Sequence, residues 1–103
     1  MIRERFHMMM VVAYDIETTD NEGKRRLQRI AKLCERYGMR VQNSVYEMLI
    51  DPRQFDTLKG ELRMLMDPET DTVRCYRLGN NYESRIEVLG KRDAMPVTGL
   101  LEI

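Results

Sequence analysis

The chain has no tryptophan, a single histidine and only two cysteines. Cys34 and Cys75 fall within a helix-like and a strand-like pattern, and neither they nor His7 show metal-ligand spacing. That argues against zinc chemistry and for two free core thiols. No apolar run approaches the roughly 20 residues that span a bilayer. The opening MIRERFH is charged where a signal peptide carries its apolar core. The expectation is a cytoplasmic protein with no membrane contact. Net charge is missing too, because 17 basic residues balance 17 acidic ones. The field of the whole molecule therefore gives no reason to expect a polyanionic partner.

A chain of 103 residues has room for one core and one domain. A composition 43% hydrophobic and 33% charged suits a globular protein rather than a disordered one. Residues 1–7 read as a poorly ordered extension, with Met8, Met9 and Met10 as alternative starts nearer the fold, and 8–103 as the single domain.

The stretch that organises the chain is MMMVVAYDI, residues 8–16, a continuous apolar run bearing one carboxylate, Asp15. Such a run reads as a strand buried on both faces, with Met10, Val12, Tyr14 and Ile16 on one side. Val11, Ala13 and Asp15 fall on the other. A charge at the end of a buried strand costs free energy unless it is paired or coordinated.

Polar, turn-forming residues 17–23 follow as a loop. Over residues 24–37, Leu27, Ile30, Ala31, Cys34 and Tyr37 recur at helical spacing as an apolar stripe. Arg25, Arg29, Lys32 and Arg36 form a basic stripe elsewhere on this helix, and Gly38 is placed to end it in the left-handed conformation. Between residues 24 and 40, seven basic side chains face Glu35 alone. This local excess in a neutral chain points to contact with phosphates, with Arg26, Arg29 and Arg40 as the gripping residues.

Residues 40–50 are strand-like, but the apolar positions switch parity, implying a bulge or break at Asn43-Ser44. Asp51-Pro52-Arg53-Gln54 is a helix start with a capping box, and Phe55, Leu58, Leu62, Leu65 and Met66 give its buried stripe. Asp67-Pro68 ends it. Residues 72–78 read as a strand, 79–81 as a turn and 85–89 as a last short strand. The order predicts an α+β, ferredoxin-like βαββαβ sandwich with an extra C-terminal strand. Both helices would cover one sheet face, and the open face predicts a two-fold homodimer.

Three blocks carry a resemblance: YDI at 14–16, RVQNSVYE at 40–47 and YRLGNNY at 76–82, with the basic helix between the first two. In that order they resemble the small CRISPR-associated adaptation nuclease, the Cas-two family, and within it the I-C-like branch. The likeness runs from about Met9 to the late strand. It implies a homodimer whose C-terminal strand crosses to the partner. It also implies a metal-dependent endonuclease acting on RNA or double-stranded DNA, which bridges CRISPR integrase subunits during spacer insertion. The family's metal-binding acid falls on Asp15, and the aromatic beside it in the catalytic pair on Tyr14. The basic helix start falls on Arg25, Arg26, Leu27, Gln28 and Arg29, where Gln28 departs from the usual basic residue. The nucleic-acid set is completed by Arg40, Ser44 and Tyr46, the last standing where Phe is frequent.

One carboxylate per chain is too few for a metal cage, but a two-fold axis doubles it. Two Asp15 side chains about 5 Å apart would repel by roughly 3 kcal/mol at an effective dielectric near 20. A hard divalent cation, Mg2+ with Mn2+ as substitute, removes that repulsion and keeps waters of its own. Two compatible readings result, a metal-dependent nuclease and a non-catalytic DNA-binding scaffold of the spacer-integration complex. A third, an unrelated regulatory or ligand-binding module, lacks any Gly-rich phosphate loop.

Overall fold

Alternation of period 2 and period 3.6 along the chain becomes strands and helices close to where the apolar pattern places them. The computed structural model describes residues 7–90. It contains β1 (Met8–Asp15), α1 (Asn21–Tyr37), β2 (Met39–Gln42), β3 (Val45–Ile50), α2 (Pro52–Leu65) and β4 (Thr72–Gly79). The extension expected over residues 1–7, apart from His7, and the tail beyond Gly90 lie outside the described residues.

The strands form one sheet in the order β2-β3-β1-β4, with every neighbouring pair antiparallel. This is the ferredoxin-like sandwich that the element order predicts. Met10, Val12, Tyr14 and Ile16 of the central region join Tyr46, Met48 and Ile50 of β3 on one face. Against them pack Ile30, Leu33 and Cys34 of α1 and Phe55, Leu58 and Leu62 of α2.

Several local expectations change. The second face of the first strand is only partly buried in this chain: Met9 is buried, Val11 and Ala13 are half-buried and Asp15 is exposed, because both helices lie on the other side. Helix α1 begins at Asn21, three residues before the expected start at residue 24, since the Asp20 side chain accepts the Gly23 N–H at 2.8 Å and caps it. Gly38 ends α1 in extended backbone, not the left-handed region. Its lack of a side chain matters for a different reason, as a Cβ there would collide with the Glu47 carbonyl. The parity switch at Asn43-Ser44 is a hairpin turn between β2 and β3, with a register shift between Arg40 and Gln42. The capping box at Asp51 and Gln54 forms as expected.

No strand forms over residues 85–89. A short 3-10 turn, Glu83–Arg85, follows β4, and residues 86–89 pair with no described strand. A strand requires a neighbour to take its backbone N–H and C=O groups, and residues 86–89 add to neither edge of the four-stranded sheet among the described residues.

Candidate functional site

Asp15 closes β1, lies opposite Thr72 of β4, and is exposed. Its carboxylate makes no hydrogen bond or ion pair with any described residue. The desolvation cost expected of a strand-end charge is therefore avoided by exposure rather than by pairing. On the other flank, the Tyr14 N–H donates to the Ser44 carbonyl at 3.1 Å, which brings the β2–β3 hairpin to the same sheet end. Ser44 thus contributes its backbone at this site.

Tyr14 and Tyr46 stack in the core with ring centroids 6.1 Å apart and planes 29° apart. Burial, reinforced by the hydrogen bond with Tyr46, pushes the Tyr14 hydroxyl well above the ordinary phenol range. A phenol held neutral in this way does not act as a base, and the Tyr14 ring lies in the core, on the sheet face opposite the Asp15 side chain. Arg40 Nε donates to the Tyr46 hydroxyl at 3.0 Å, and Arg40 Nη2 pairs with Glu35 at the same distance. The Tyr46 hydroxyl in turn lies 3.4 Å from the Ala31 carbonyl. These two members of the expected nucleic-acid set are thus bound up with holding α1 on β3.

Arg26 is committed as well. Its Nε donates to Asp71 at 2.8 Å, and the Asp71 side chain is fully buried. Burial alone would raise the Asp71 carboxyl. Hydrogen bonds from Arg26, from the Asp67 and Glu17 backbone N–H groups and from Thr70 outweigh it and hold the group at about 2. Arg25, Arg29 and Lys32 are exposed on α1 and make no ion pair among the described residues. Arg36 reaches Glu61 loosely at 3.8 Å. The uncommitted basic groups of α1 are therefore Lys24, Arg25, Arg29 and Lys32, while Arg26 is held by Asp71 and Arg40, on β2, by Tyr46 and Glu35.

Asp71 was hidden in the sequence. It sits in the acid-rich stretch from Glu47 to Asp71, and its partner lies 45 residues earlier. No local spacing can reveal such a pairing.

Among the described residues, no group of three or more His, Cys, Asp or Glu side chains could hold a metal ion. The Asp15 carboxylate is a hard-oxygen donor of the kind that suits Mg2+ or Mn2+, and one such group alone does not make a site. Among the same residues, no helix is long and apolar enough to cross a membrane.

The sequence profile described as CRISPR associated protein Cas2 matches residues 8–86. The chain belongs to the Cas2 family. It is 44% identical over 88 residues to a CRISPR-associated endonuclease Cas2 of Halalkalibacterium halodurans, covering 85% of this chain and 92% of that one. It is 44% identical over 94 residues to a CRISPR-associated endoribonuclease Cas2 of Chlorobaculum tepidum, covering 91% of this chain and 98% of the relative. In three dimensions it is similar to Streptococcus pyogenes Cas2 in a crystal structure at pH 6.5, with a TM-score of 0.72 and 46% identity. That match covers 81% of this chain and all of the other. The Cas2 relatives are thus named as nucleases, and the shared region contains Asp15, α1 and the hairpin.

Proposed function

We propose that this Cas2-family chain is a divalent-metal-dependent endonuclease of CRISPR adaptation, acting as a homodimer on double-stranded DNA or RNA. The observation that carries this reading is Asp15, an exposed strand-end carboxylate with no partner among the described residues. A two-fold axis through the open sheet face would bring two such carboxylates together as hard-oxygen ligands for Mg2+, with Mn2+ as substitute. A cation so bound supplies Lewis-acid polarisation of a phosphodiester and lowers the pKa of water. The chain's own part is to orient that cation through Asp15 and to hold the phosphate backbone with Arg25 and Arg29.

The dimeric scaffold of a CRISPR integrase complex is a second reading, and it is compatible with the first. It is favoured by the scarcity of catalytic groups, one carboxylate per chain with a neutral Tyr14 beside it. Both readings are tested by one comparison of wild type with Asp15→Asn. Cleavage of duplex DNA and of RNA is measured with and without Mg2+ or Mn2+, and spacer integration is measured with the integrase subunit. Loss of cleavage with integration retained assigns both roles. Full cleavage by the purified variant removes the metal role of Asp15, and lost integration by a normally assembled complex counts against the scaffold.

A further inference from the structure

We infer that Asp71 and Arg26 are positioning residues for Asp15, a buried latch that clamps the backbone just beyond the end of β1. The inference rests on the reading of Asp15 as a cation ligand and assigns two residues that set the geometry of that ligand.

The latch joins three segments at one carboxylate. Asp71 accepts the Glu17 N–H at 3.0 Å, the Arg26 Nε–H at 2.8 Å, the Asp67 N–H at 2.9 Å and the Thr70 hydroxyl at 3.1 Å. Arg26 Nη2 reaches the Glu17 carbonyl at 3.5 Å, so both backbone polar groups of Glu17 are engaged. Glu17 follows Asp15 by two residues, and Asp71 precedes Thr72, the residue opposite Asp15 in the sheet. The two strands are therefore fastened to each other immediately past their last pair. A further contact points the same way, since a Cβ at Gly23 would collide with the Glu17 carbonyl. The first turn of α1 is bare so that this loop can lie against it.

A buried ion pair adds little net stability compared with well-packed apolar residues, because desolvation offsets the attraction. Its distinctive contribution is a fixed geometry. Groups bonded directly to a metal ligand typically contribute about 10–100-fold in metal affinity, and the latch acts one step further out, on the backbone two residues beyond Asp15.

The test uses the full chain with Mn2+ as probe. Wild type, Arg26→Gln, the milder Arg26→Lys and Asp15→Asn are compared by Mn2+-induced line broadening of backbone amide signals and by amide exchange at Glu17. Cleavage is followed as a function of Mn2+. Arg26→Gln is expected to accelerate Glu17 exchange and to raise the Mn2+ half-saturation by less than a direct contact would, about threefold. Arg26→Lys should recover part of the affinity. A merely structural pair would instead lower the melting temperature and leave half-saturation untouched. Unchanged half-saturation in folded Arg26→Gln overturns the latch while leaving the cation reading standing. Absence of Mn2+ broadening near Asp15 in wild type overturns the cation reading itself, and the positioning role falls with it.

Discussion

Arg40 donates from Nε to the Tyr46 hydroxyl at 3.0 Å while its guanidinium carbon lies 5.7 Å from the Tyr46 ring centroid. A residue that looks like a phosphate contact in the sequence is thus occupied by an aromatic neighbour and by Glu35. The distinction between committed and free arginines decides how the variants should behave. Removing Arg25 and Arg29 together should flatten the dependence of duplex binding on salt, by about 0.9 in log–log slope for each lost contact. Arg40→Ala should leave that slope unchanged and lower the melting temperature instead. A slope that falls equally for Arg40→Ala would show that its pairing opens in the complex.

Asp71 makes acid stability predictable in sign. Its folded-state value lies below the ordinary 3.8, at about 2. The stabilisation is therefore present above the ordinary value and is lost as pH falls through that window. It amounts to at most about 2 kcal/mol. Urea unfolding of wild type should weaken between about pH 4 and pH 2, and Asp71→Asn should show a flatter profile there from a lower plateau at neutral pH. Parallel profiles would mean that the carboxylate is not the titrating group.

Glu47 has the opposite sign. It faces Val11 and Met39 across the open side of the sheet, and burial raises its carboxyl. The penalty applies to the charged form, so it is present above the folded-state value and absent below the ordinary Glu value of about 4.3. Glu47→Gln should therefore melt higher than wild type at pH 7 and converge with it in acid. A lower melting temperature at pH 7 would reveal a partner for the carboxylate.

Two helical glycines should respond oppositely to alanine. Gly60 is exposed within α2 and a Cβ there meets nothing within 4 Å. Gly60→Ala should stabilise the protein by about 0.5–1 kcal/mol through helix propensity. Gly23→Ala adds the same propensity but drives a methyl group into the Glu17 carbonyl. Its net effect should be destabilising, measured by thermal melting of both variants side by side.

Asp15→Asn should unfold within about 0.5 kcal/mol of wild type, as expected for an exposed surface substitution that breaks no contact. A larger loss, measured by urea titration, would mean that the carboxylate has a structural partner.

Amino-acid order alone determined the alternation of strands and helices, the apolar faces of α1 and α2, and the capping box at Asp51. Each of these rests on neighbours within a few residues, where periodicity and capping chemistry act. The hairpin was visible as a parity change at Asn43-Ser44, though not as a turn, because a switch of face fits either a bulge or a reversal. The tertiary structure alone decided which basic residues remain free. Arg26 and Arg40 look equivalent to Arg25 and Arg29 along the chain, yet the fold sets Asp71 beside one and Tyr46 and Glu35 beside the other. Burial of a carboxylate and the neutralisation of its partner depend on which distant segments meet, and that information is not local.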